Sequence, residues 1–135
     1  MEDILDWYIK ERVLFQRQVG EMTLETVQHN NDRIIKMLDK GKPLVHVMVD
    51  ARFITKLPTN LLKMSNSTSF LNHPSLGWVM TVSNNSMINF LGSMLPQIGT
   101  LRRYRVFPNL QRTLTFLKDQ DETLDWQDAK NDFII

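Results

Sequence analysis

Leu44-Val45-His46-Val47-Met48-Val49 is the most apolar stretch of the chain, and extended backbone would turn its apolar side chains to both faces of a sheet. That pattern predicts a central strand covered on each side. The flanking patterns are one-sided. Residues 4–19 read as two strands, Leu5–Ile9 and Val13–Val19, with Lys10, Glu11 and Arg12 at the turn. In the second, Val13, Phe15, Arg17 and Val19 alternate with Leu14, Gln16 and Gln18, as in a half-buried antiparallel strand. Gly20 breaks the alternation. A helix then starts after Thr23, a suitable N-cap with Glu25 in the first turn, and carries Leu24, Val27, Ile34, Ile35 and Leu38 at helical spacing. Gly41 and Pro43 stop it.

Beyond the central strand, Pro58-Thr59-Asn60 opens a helix bearing Leu61, Leu62 and Met64 that runs until His73-Pro74. Gly77–Val82 is a further buried strand. Ser83-Asn84-Asn85-Ser86 caps a helix with Met87, Ile88, Leu91, Met94 and Leu95, closed by Pro96. Arg103–Phe107 is a last strand, and Asn109 caps a helix with Leu110, Leu114 and Leu117. The order β-β-α-β-α-β-α-β-α predicts an α/β fold. Its mixed sheet starts with an N-terminal antiparallel hairpin and continues as βαβαβα with right-handed crossovers. At 135 residues this is one domain over residues 1–120, followed by an acidic and hydrophobic tail over 121–135.

Charge sharpens the picture. Asp50, at the end of the apolar stretch, is the only carboxylate from Gly41 to Lys118, against nine basic side chains, so that span is formally +8. Residues 1–40 sum to −2 and residues 119–135 to −5. An acid at the carboxyl end of a buried strand stands where open α/β sheets place their ligands. Its isolation argues against chemistry that needs paired carboxylates. With no cysteine, thiolate catalysis and thiolate metal sites are excluded. His29, His46 and His73 lack the spacing of a helical metal pair, so neither metal nor cofactor is expected. The chain opens Met1-Glu2-Asp3 without a signal-peptide pattern and has no membrane-length apolar run, which points to the cytoplasm.

This order of elements, with Val47-Met48-Val49-Asp50-Ala51-Arg52-Phe53 at its centre, resembles the STAS domain of bacterial anti-sigma-factor antagonists and the STAS/Sec14-like proteins. The resemblance covers roughly residues 4–120. In phosphoregulated STAS proteins a strand ending in Asp leads to an Asp-Ser-Ser-Gly turn at a helix start, whose second serine takes phosphate from a partner kinase. Counting from Asp50, that turn falls on Pro58-Thr59-Asn60-Leu61. The acid, the serine and the glycine are absent; Thr59 is the nearest hydroxyl and Asn60 stands at the acceptor position. The resemblance therefore implies the fold and a protein partner such as a kinase or regulator, with Thr59 the candidate phosphoacceptor.

The candidate ligand or partner residues are Asp50, Arg52, Thr59, Asn60, Met64, Ser83 and Asn84. Asp50 and Arg52 either orient a small anion at the sheet edge or serve the loop, Asp50 capping backbone N–H groups of residues 53–57. Thr59, Asn60, Ser83 and Asn84 precede helices, where free N–H groups suit anions but where N-capping alone accounts for them. Arg102, Arg103 and Arg105 flank Tyr104, yet alternation sends Arg103 and Arg105 to one face and Arg102 and Tyr104 to the other. That favours solvated edge charges over nucleic-acid binding. His46 fits a hydrogen-bonded core histidine. The expected function is a non-enzymatic STAS-like regulatory or interaction module, acting through the edge near Thr59–Met64. The alternative is a carrier of a small apolar ligand, with a pocket lined by Met64, Phe70, Met87 and Phe90. In the tail, Leu124, Trp126, Phe133, Ile134 and Ile135 are more apolar surface than a solubilising end needs, so it is expected to dock on the +8 body, of its own chain or of a second copy, with a homodimer as the expected consequence.

Overall fold

The computed structural model describes residues 1–86 and 103–135. Its strands are β1 (Ile4–Ile9), β2 (Val13–Arg17), β3 (Gly20–Glu21), β4 (Val45–Asp50), β5 (Ile54–Lys56), β6 (Leu76–Val82) and β7 (Tyr104–Phe107). Its helices are α1 (Leu24–Lys40), α2 (Leu61–Asn66) and α3 (Leu110–Gln120), with short 3₁₀ turns at Ser69–Asn72, Trp126–Asp128 and Asn131–Phe133. Five strands form one sheet in the order β1-β2-β4-β6-β7. β1 and β2 pair antiparallel and all later pairings are parallel, so the predicted mixed α/β sheet is present.

The apolar stretch is β4, at the middle of the sheet. Val45, Val47 and Met48 are fully buried because α1 covers one face and α3 with the tail covers the other. Leu14, Ile34, Leu38, Val47, Phe70 and Val79 pack on the α1 side. Tyr8, Phe15, Met48, Met80, Leu110, Leu117 and Leu124 pack on the opposite side. Thr23 caps α1 through a hydrogen bond from Thr26 N at 3.1 Å, and Asn109 caps α3 by accepting from Arg112 N at 2.9 Å. No described helix is long and apolar enough to cross a membrane.

Two expectations need correction. The strand over Val13–Val19 ends at Arg17, because residues after it leave the sheet and Gly20–Glu21 pairs instead with Ile54–Lys56 in a separate two-stranded ribbon. Two- and three-residue strands carry too little periodicity to be read in advance. The helix opening at Asn60 does not reach His73: it ends at Asn66, and the Thr68 hydroxyl turns back to the Met64 and Ser65 carbonyls. Such back-bonding by threonine competes with helix continuation. The helix predicted over Met87–Leu95, with Pro96, lies outside the described residues, as do Phe90 and Arg102.

The tail docks on its own chain. It leaves α3 at Asp121 and lays the rings of Trp126 and Phe133 against Tyr8 and Phe15, with centroids 6.1 and 5.4 Å apart. Lys130 N donates to the Tyr8 carbonyl at 2.9 Å and the Tyr8 hydroxyl to Asn131 Oδ1 at 2.6 Å. Its ion pairs, Asp121 with Arg12 and Lys130 with Asp6, use residues of the first segment, while His46 and Lys118 of the +8 span meet Asp121 and the Trp126 ring. Apolar contact holds it, with bulk charge matching secondary. The expectation of a homodimer built by the tail draws no support from this arrangement.

Candidate functional site

Asp50 closes β4 with its side chain fully buried. β2 and β4 run parallel with Arg17 opposite Asp50, so a guanidinium faces the carboxylate. Arg17 Nε donates to Asp50 Oδ2 at 2.8 Å. Arg52, two residues on, returns over the same carboxylate, donating from Nε to Oδ1 at 2.8 Å and from the other arm to Oδ2 at 2.9 Å. Its backbone N–H adds a 3.2 Å bond, so the backbone donor to Asp50 is Arg52 N rather than an N–H of residues 53–57. Burial would raise the Asp50 pKa, but hydrogen bonds from Arg52 and Arg17 outweigh it and hold the carboxyl below its usual range. Both oxygens are thus engaged by arginines. Arg17 also donates to the Phe133 carbonyl at 2.7 Å, tying the tail to this end of the sheet.

The other candidate residues divide. Ser83 follows β6, the neighbour of β4, and lies at the same sheet edge; it is buried and its hydroxyl accepts from Asn85 N at 3.1 Å, while Asn84 is exposed. Thr59 and Asn60 lie beside the β3–β5 ribbon, in an open groove of about 330 Å³ shared with Thr23 and Leu24. Asn60 Oδ1 caps α2 by accepting from Lys63 N, and the Thr59 side chain is exposed. Met64 is buried and lines an apolar cavity of about 140 Å³ with Val27, Ile34, Val49, Leu57 and Phe70. Its side chain therefore faces the core. Met87 and Phe90, the other expected lining residues, lie outside the described ones.

At the opposite, amino end of the same two strands stands a second acid that the sequence did not single out. Asp121 accepts from Arg12 at 2.8 Å and from His46 Nε2 at 2.8 Å, and from Thr123 N at 2.9 Å. His46 Nδ1 accepts from Trp78 N at 2.9 Å, so the proton of the neutral ring sits on Nε2 and points at Asp121. Burial lowers the His46 pKa, and the pull of Asp121 in the other direction does not make up for it. Asp121 itself is raised by burial but lowered further by bonds from His46 and Thr123, to about 2. The close fit of the ring requires Gly77, because a Cβ there would lie 2.6 Å from His46 Nδ1. His46 is thus the hydrogen-bonded core histidine expected. Tyr104 packs inward with its hydroxyl on Thr81 Oγ1, and Arg105 lies over Trp78, so the two do fall on opposite faces. No group of three acidic or histidine side chains among the described residues is placed to hold a metal ion.

The antiparallel hairpin leading into parallel strands with helices on both faces can be compared with solved structures. The anti-sigma factor antagonist SpoIIAA in its unphosphorylated form superposes with a TM-score of 0.55 at 9% identity, covering 87% of this chain and 98% of that one. The fold is SpoIIAA-like. An uncharacterized protein from Shewanella loihica PV-4 with a SpoIIAA-like fold gives a TM-score of 0.61 at 12% identity, covering 86% of this chain and 92% of its own. No protein-family model matches the sequence, and no curated protein matches it. The SpoIIAA-like fold thus appears here with a sequence that shares few of its residues, as expected when core pattern rather than residue identity specifies a sheet and its covering helices.

Proposed function

We propose that the chain is a non-enzymatic regulatory module that works by binding another protein through the outer face of α2. The observation that carries this reading is Leu62, 74% exposed on that helix and bordered by the exposed Thr59, Asn60 and Lys63. A large apolar side chain held out on a capped helix, with polar neighbours around it, is the composition of an interaction anchor with its rim. One solved protein of like fold is by name an anti-sigma factor antagonist, which supports a reading in terms of a protein partner. The buried charged groups described above are engaged in internal pairs, which fits binding better than catalysis. Exposure of the Thr59 hydroxyl beside Leu62 makes it the candidate phosphoacceptor, since phosphate would bring about two negative charges onto this face.

The apolar-ligand reading has less to stand on, because a cavity of about 140 Å³ lies below the roughly 300 Å³ at which small-molecule sites begin. The test is capture of partners from the source cell with the full chain and with Leu62→Asp, followed by calorimetry of the purified pair. Loss of a buried leucine contact, about 1.5–3 kcal/mol, should weaken binding tenfold or more, and phosphopeptide mapping of the cellular protein should find Thr59. A purified partner that binds wild type and Leu62→Asp equally would move the interface elsewhere.

A further inference from the structure

Between α1 and the edge strand β1 runs a crevice of about 290 Å³ that lies away from the α2 face and shares only Arg17 with the Asp50 cluster. Its floor is polar where the register calls for an apolar side chain. Gln16 stands in β2 between Leu5 of β1 and Val49 of β4, both packed with the α1-side core. Only 6% of it is exposed, and its side-chain amide has no hydrogen-bond partner among the described residues. An amide buried without partners is costly, and a protein retains one where something else satisfies it. The neighbouring amides are arranged rather than loose: Asn30 donates to Gln18 Oε1 at 3.0 Å, and Gln18 donates to Asp3 Oδ2 at 3.1 Å.

The walls carry opposite charge. On the strand side Asp3 accepts from Gln18 and from Val19 N at 2.8 Å, which leaves about two of a carboxylate's four lone-pair sites open. On the helix side His29 and Arg33 lie one turn apart and line the same crevice, and Arg33 makes no ion pair with any described residue. A cation on one wall, a carboxylate on the other and an unsatisfied amide beneath them are complementary to a ligand with both charges and a further polar group.

We propose that this crevice binds a small zwitterion, a free polar α-amino acid being the simplest case. The ligand carboxylate sits against Arg33 and His29, its ammonium group against Asp3, and its remaining polar atoms on the Gln16 amide. A simple anion would satisfy the helix wall but would be repelled by Asp3. None of these residues lies on the α2 face, so this proposal and the protein-binding role stand or fall separately.

The test is an NMR titration of the full-length, ¹⁵N-labelled chain with the standard α-amino acids, succinate and inorganic phosphate, following the side-chain amide signals of Gln16 and Asn30. Saturable shifts of both signals with at least one amino acid are expected, and succinate and phosphate should bind about tenfold more weakly or not at all. Arg33→Gln, an exposed change that leaves the fold alone, should weaken binding by about tenfold or more. Gln16→Leu should abolish it while the melting temperature stays or rises, since the change removes an unpartnered buried amide. That combination separates a ligand-binding glutamine from one held only for packing. The proposal is overturned by the absence of saturable shifts with every amino acid, by succinate or phosphate binding as tightly as the best of them, or by binding that survives both substitutions.

Discussion

The two ends of β2 and β4 make the same arrangement from different parts, a carboxylate clamped between two bases. At the carboxyl end Asp50 lies between Arg17 and Arg52, and Asp50 and Arg17 are almost wholly buried. At the amino end Asp121 lies between Arg12 and His46, and only the imidazole is deeply buried. The first cluster has two guanidiniums that stay charged at every physiological pH; the second includes a ring whose charge can change. The tail joins them, beginning at Asp121 and reaching Arg17 through the Phe133 carbonyl. One end is thus a fixed bolt and the other a joint that acid can loosen.

Removing the central acid from each end gives the largest contrast. Asp50→Ala would strand Arg17 in the core and should lower stability by about 3–5 kcal/mol, read as the urea midpoint at neutral pH. Asp121→Ala leaves Arg12 partly solvated and takes the acceptor from His46, and the expected loss is smaller, about 1–3 kcal/mol. Equal losses would erase the distinction between the ends.

A finer separation comes from pH. The folded His46 pKa is lowered below 6.5, so beneath pH 6.5 the unfolded chain binds the proton first and stability falls as acid is added. Asp121 is also lowered, from 3.8 to about 2, so its contribution is present above pH 3.8 and is lost only as pH drops through about 2. Between pH 7 and 5 the imidazole should therefore account for the greater part of any change arising from these two clusters. Urea midpoints of His46→Gln should vary less over that interval than those of wild type. An unchanged slope would take the joint away from His46.

How far these features could be read beforehand depends on whether they are local. The α1 caps at Thr23 and Gly41 and the burial of β4 follow from neighbouring residues, and they are where the pattern placed them. Asp50 stood out as an isolated acid, yet its partner Arg17 is 33 positions away and becomes adjacent only through the parallel register of β2 and β4. The pairing of His46 with Asp121 spans 75 positions and rests on the path of the chain after α3. Gln16 looked like an ordinary outward residue of an alternating strand, because nothing local indicates that α1 will cover it. Pattern identifies faces; partners across them come from topology.

The bond between the Tyr8 hydroxyl and Asn131 joins residues 123 positions apart. On a ribosome adding roughly 5–20 residues per second, the later partner is made about 6–25 s after the first. Throughout that interval Tyr8 and Phe15 lack the segment that covers them, and the hairpin that starts the chain offers aromatic surface to whatever is nearby. Completion of the sheet's second face therefore waits until the segment carrying Trp126, Asn131 and Phe133 has been made. A newly made copy of this protein should be a client for chaperones that recognise exposed aromatic strands until Trp126 and Phe133 emerge to cover them.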